Sequence, residues 1–198
     1  MTFKQRVHNE IIKGAASYKE VFVEYDYLVY SDSFVNKPYY IISAAADNYP
    51  HLTGVNPLIP ARIFFCKCLD GSLHESDFNF YSKNRSEKEV KGSVRRKIKI
   101  LPLLPYMLES SLLAEEDFVK GKAYCSLATA DSRLTMGFVD DTILRPKTLL
   151  KNNELDSSKS VNVTLVLRRI RGAERFDAIV QGDLEGFCTA FPDVLTDI

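Results

Sequence analysis

Apolar residues recur along this chain at two periods, and the change of period divides it. Over Phe3 to about Ala16, Val7, Ile11 and Ile12 fall at helical spacing, which predicts a first helix. Val21 to Tyr30 follows, rich in β-branched and aromatic residues, with Val21, Val23, Tyr25, Tyr27 and Val29 alternating onto one face. That stretch reads as a strand, with continuation of the helix through Tyr30 as the alternative. Tyr39 to Ser43 is a second strand candidate, after a turn at Asn36-Lys37-Pro38. Asn48 to Gly54 reads as a short capped turn: Asn48 to cap it, Pro50 in the first turn, Gly54 to end it. Pro60 to Leu69 predicts a helix stopped by Asp70-Gly71, and Ser76 to Phe80 one more turn.

Ser86 to Leu104 carries the clearest helical pattern. Ser86 and Glu89 form a capping box, Val90, Val94, Ile98 and Leu101 an apolar stripe, and Pro102 and Pro105 end the run. From Lys122 the period becomes two. Tyr124–Ala130 and Leu134–Val139 flank Asp131-Ser132-Arg133 as one hairpin; Val161–Ile170 and Phe176–Gln181 flank residues 171–175 as a second. The segment from Asp141 to Lys159 reads as irregular, with one turn after Pro146. Helices first and hairpins afterwards predict an α+β fold: an N-terminal helical half, about 1–110, packed on a C-terminal antiparallel sheet of two hairpins, about 121–183. An acidic tail, 184–198, closes the single expected domain.

The 198 residues suffice for one good-sized domain. Charge balances at 26 basic and 26 acidic residues, so attraction to nucleic acid or membrane has to come from local patches. Met1 to Glu10 is polar and shows no signal-peptide pattern, and the most apolar stretch, Ile100 to Leu108, is too short to span a bilayer. A cytoplasmic protein with reduced cysteines and no membrane partner is the expectation.

Charge is concentrated between Lys83 and Lys99, where eight Lys/Arg accompany two Glu. Lys91, Arg95 and Lys99 share one helix face suited to neutralising phosphates. The same residues also read as a solvated face. No phosphate-binding glycine loop or nucleophile elbow is present. His8, His51 and His74 lack metal-ligand spacing, and Cys66 and Cys68 would face different sides of a helix, so no metal or other cofactor is expected. Metal-free RNA cleavage needs a base for the 2′-hydroxyl, an acid for the leaving oxygen, a cation on the phosphorane and a grip on the nucleotide. His51, Thr53, Arg145, Lys147 and Thr148 are residue types that supply these, with His51 the best general acid or base by type. His51 also reads as a capping or buried histidine, and the tyrosines from Tyr25 to Tyr30 as core packing more than base-stacking rings.

Four runs carry a family resemblance: residues 47–55 around His51-Leu52-Thr53-Gly54, residues 91–97 with Arg95-Arg96, Arg145-Pro146-Lys147-Thr148-Leu149, and Gln181-Gly182-Asp183. Together they resemble the phage-associated branch of the barnase–EndoU–colicin–RelE-like nucleases, in the variant with a His-Leu-Thr-Gly box, over about Val21 to Asp183. The resemblance implies helices followed by an antiparallel sheet and a metal-independent endoribonuclease, a toxin or phage conflict factor acting on RNA such as tRNA or mRNA. Catalytic residues vary between branches of that superfamily. Only positions inside matching runs carry over: His51 and Thr53, Arg95 and Arg96, Arg145 and Lys147. On this reading His51, Lys147, Arg145 and Thr53 are catalytic, while Lys91, Arg95, Arg96, Lys99 and Thr148 hold RNA. An antitoxin or other protein partner goes with the toxin reading. The alternative is a non-catalytic phage inhibitor or regulator on the same scaffold, whose basic face meets an acidic protein or nucleic acid without cutting it; a structural virion or mobile-element protein is a third reading.

Overall fold

The structure, a computed structural model, describes residues 1–109, 111–121, 123–140 and 142–195. The onset of the strand pattern at Lys122, the start of the irregular segment at Asp141 and the last three residues of the acidic tail therefore lie outside the described residues.

Helix α1, Phe3–Tyr18, starts at a Thr2/Gln5 capping box and runs on into a π-helical turn, Lys19–Val23. Strand β1, Tyr25–Tyr30, and strand β2, Tyr39–Ser43, follow. The alternation expected from Val21 fails because residues 19–23 are helical, and because Asp26 to Val29 are buried on both faces of the strand. Helix α2, Tyr49–Thr53, comes next, then β3, Asn56–Pro57, and helix α3, Ala61–Asp70, which stops at Gly71 with φ 74°. The turn expected over residues 76–80 is a short 3-10 turn, Glu75–Asp77, and the rest of that stretch enters β4, Phe78–Asn79, which pairs with β3. Helix α4, Glu87–Ile100, carries the expected Ser86/Glu89 capping box. Pro102 and Pro105 turn its continuation into a 3-10 helix, Leu101–Tyr106.

The remaining strands are β5, Leu113–Lys120; β6, Ala123–Ala130; β7, Leu134–Val139; β8, Arg145–Lys151; β9, Val161–Asn162; β10, Leu165–Ile170; and β11, Ala178–Gly182. The fold is α+β, with N-terminal helices against antiparallel sheets, but the two hairpins belong to different sheets. One has the order β11-β10-β1-β2, the other β8-β7-β6-β5-β9. The chain changes sheet at Val163-Thr164, between β9 and β10. At the far edges a parallel bridge joins Ile42 to Leu144, with Ser43 N donating to Leu144 O at 2.9 Å.

Two strands escape the sequence pattern. β5 is acidic, yet Glu115 is buried and accepts from Asp156 N, and Glu116 accepts from the backbone of Val35 and Asn36 and from the Tyr40 hydroxyl. β8 corrects the irregular reading of 141–159: Arg145–Lys151 is an edge strand, and Pro146 sits where the register with β7 shifts, a position that needs no N–H from it.

The main core lies between the helices and the inner faces of both sheets, with Val7, Tyr49, Phe64, Val94 and Leu149 among its buried members. The C-terminal segment covers the outer face of the four-stranded sheet. There Phe187, in helix α5, Phe187–Ala190, packs with Leu28, Leu165 and Leu195. Through Leu195 the acidic tail is thus an apolar cover on that sheet. Among the described residues no helix is long and apolar enough to cross a membrane.

Gly182, in the Gln181-Gly182-Asp183 run, explains itself through the backbone. Its φ is +82°, and a Cβ there would lie 1.9 Å from the carbonyl oxygen of Thr164, on the neighbouring strand's lead-in. Left-handed strain and a backbone clash act together, so Gly182→Ala is expected to cost at least about 2 kcal/mol. Urea unfolding measures it; a loss under about 0.5 kcal/mol, the range of an ordinary surface change, would show that β10 and β11 shift apart freely.

Candidate active site

The residues 48–54 build a small platform. Asn48 does not cap α2; its side chain turns back to accept from Ala45 N at 2.7 Å. Tyr49 and Leu52 are fully buried, and the Tyr49 hydroxyl donates to Ile11 O at 2.5 Å, so this face of the turn is anchored to α1. His51 lies between them in sequence and is left exposed. Thr53 is fully buried. Its hydroxyl donates to Pro50 O at 2.8 Å and accepts from Val55 N at 3.4 Å, which commits it to closing the turn. Gly54 ends the turn at φ 78°.

Platform, helix and edge strand meet here, because α2 packs on both α4 and β8. Lys97 of α4 crosses the end of α2 and donates from Nζ to the carbonyl oxygen of His51, one of the acceptors a helix C-terminus leaves without a partner. Its stem lies over Gly54: a Cβ on that glycine would come within 2.9 Å of Lys97 Cδ. Lys97 is half-buried and has no carboxylate ion-pair partner among the described residues. Burial, and then the charge of Arg85, pull its pKa from 10.5 to about 8. The His51 pKa is also lowered from its usual value. Partial burial of the imidazole acts first, the Lys97 charge second and Lys147 more weakly, while Asp47 opposes them. A neutral imidazole beside ammonium groups accepts protons and draws in anions.

The other sequence candidates divide. Lys147 is exposed on β8, close enough for its charge to act on His51, and its Nζ reaches Tyr124 O at 3.4 Å. Arg145, on the same strand, lies 3.7 Å from Asp140. Thr148 stands half-buried opposite Gly137. Arg96 joins Lys97 in a groove of about 420 Å3 between α4 and the end of β8, where Ser93, Lys120, Lys151 and Glu154 also contribute. Glu154 is paired with Lys120 at 2.6 Å, so the groove keeps an excess of positive charge. Lys91 and Arg95 are not in this groove: Lys91 pairs with Glu87 at 2.6 Å, and the Arg95 guanidinium lies over the Phe3 ring. Lys99 is exposed near the C-terminal end of α4.

Lys97 is the residue that selection by type passed over. It occupies the position seven after Val90, on the margin of the apolar stripe, and a lysine there is the signal of a buried cation. Elsewhere the tyrosines of β1 serve the core: Tyr27 is buried and donates to Val21 O at 2.6 Å, and Tyr30 packs on Phe187.

No curated protein and no solved structure matches the chain. A family model does, that of the phage-Barnase-EndoU-ColicinE5/D-RelE like nuclease4, over residues 10–181. That span takes in His51, Lys97, Lys147 and the groove beside them. The chain belongs to this phage-associated nuclease family, for which the implied substrate is nucleic acid.

Proposed function

We propose that the protein is a metal-independent endoribonuclease that acts on cytoplasmic RNA, tRNA or mRNA, as a toxin or a phage and mobile-element conflict factor. The observation that carries this reading is the His51 imidazole, held in its neutral form at physiological pH beside Lys97 and Lys147. In that form His51 takes the proton of a 2′-hydroxyl, and the freed oxygen attacks the adjacent phosphorus. The 5′-oxygen leaves with a proton taken from water, the hydroxide so formed is neutralised by the proton on His51, and a 2′,3′-cyclic phosphate remains. Lys147, Arg145 and Lys97 balance the charge that develops on the phosphorane. Arg96, which lines the groove, holds the backbone along it. Thr53 acts indirectly, by fixing the turn that presents His51.

The test is incubation of the purified protein with total RNA and with tRNA in EDTA. Discrete fragments ending in cyclic phosphate are expected. A well-folded protein that leaves several RNAs intact would instead support the non-catalytic regulator, whose basic groove meets a protein partner. Expression in a bacterial host adds a second readout: induced wild type arrests growth, and His51→Ala relieves the arrest.

A further inference from the structure

We infer that a second groove, on the opposite flank of α4, is a stacking subsite for a nucleotide of the same RNA, remote from the bond that is cut. This deepens the nuclease reading and rests on it for the identity of the strand. The groove encloses about 570 Å3 and combines aromatic rings, Phe3, Phe80 and Tyr81, with the cations Lys4, Arg85 and Lys91. Tyr81 is 68% exposed, so one face of its ring is open to a ligand in the groove. Two of these cations already lie on ring faces: Lys91 Nζ is 5.3 Å from the Phe80 centroid, and Lys4 Nζ 5.2 Å from that of the buried core ring Phe78. Glu87 is the one acid lining the groove, and Lys91 neutralises it at 2.6 Å.

An exposed ring between cations is what single-stranded nucleic acid uses: a base stacks on Tyr81, whereas Phe80 is buried and Phe3 half-buried, and the phosphates meet the charges. An acidic protein would match the charge but leave Tyr81 without a role. Helix α4 connects the two grooves. Lys91 lines this one, and Arg96 and Lys97 line the one beside His51, so a strand leaving the cleavage site passes over α4 to reach Tyr81. Lys91 therefore serves one station along the strand, and Arg96 and Lys97 another.

The test uses a fluorescein-labelled, fully 2′-O-methylated RNA of about 12 nucleotides, a length such surfaces span. It lacks the 2′-hydroxyl and so stays intact whatever the protein's activity. Anisotropy titrations compare wild type with Tyr81→Ala, Tyr81→Phe and Arg85→Ala. Tyr81→Ala is expected to weaken binding about tenfold, the loss of one stacked base, and Tyr81→Phe to stay within about twofold. Arg85→Ala is expected to weaken binding and to flatten its salt dependence. Wild type that does not bind, or Tyr81→Ala that binds like wild type, overturns the subsite. Oligoglutamate that displaces the RNA at equal charge overturns it too and assigns the groove to an acidic partner. A chain that cuts no RNA yet binds through Tyr81 sinks the nuclease reading alone; one that cuts RNA in EDTA but ignores Tyr81 sinks the subsite alone.

Discussion

His51→Ala is expected to lower cleavage of a short RNA by about 10²- to 10⁴-fold in kcat/KM, the usual contribution of a positioned acid or base. The imidazole suits the task on both counts that matter. It is accessible at the surface, and its neighbours favour the unprotonated form that accepts a proton. Removing it should leave the fold intact, because the contacts that hold the turn belong to Tyr49, Leu52 and Thr53 rather than to the His51 ring. Even the bond from Lys97 ends on the His51 main chain and survives the substitution. Circular dichroism and the urea midpoint should therefore match wild type. Lys147→Ala, which removes charge without removing the base, should cost less. A folded His51→Ala protein that cleaves within about threefold of wild type would end the assignment and send the search to the other side chains of the groove.

What was legible in the sequence depended on whether meaning lay in pattern or in contact. The α4 pattern was complete: capping box, stripe and proline stop can all be read locally, and the helix forms as they say, with the prolines tightening its continuation. The first hairpin was equally plain, since β6 and β7 carry their own period around Asp131-Ser132-Arg133. β5 and β8 were hidden because partners supply what their composition lacks. The acids of β5 are satisfied by backbone from distant loops, and β8 keeps a proline only because its register shifts there. The assignment of the second hairpin to the sheet of β1 and β2 depends on non-local pairing, which no window of residues reports.

The His-Leu-Thr-Gly run shows the same division inside four residues. Chemistry by type marked His51 and Thr53 alike. The fold separates them, with one side chain at the surface and the other fully buried and spent on Pro50 and Val55. Leu52 is core, and Gly54 provides both the left-handed turn and the space for Lys97. The run is thus one histidine and three residues that present it. Lys97 became readable only once α4 was seen to cross the end of α2.

Lys97→Met is expected to lower kcat/KM by about 10²- to 10³-fold, the scale of losing one preorganised charge at an anionic transition state. The pH profile identifies the group better than the loss itself. His51 must be neutral to act, and its pKa lies below 6.5, so activity should rise through that region and then level off. Lys97 must be charged, and its pKa is about 8, so activity should fall again near that value. In Lys97→Arg the guanidinium stays protonated at every accessible pH, and the descending limb should vanish while part of the activity remains. Stability should carry the same signature with its own sign. Because the folded pKa lies below the unfolded one, the unfolded chain binds more protons between about 8 and 10.5, so stability rises with pH across that window and is lost as pH falls through it. Lys97→Met should abolish that rise. A descending limb that persists unchanged in Lys97→Arg would mean that another group titrates there, and Lys97 would then be no more than the lysine that closes the end of α2.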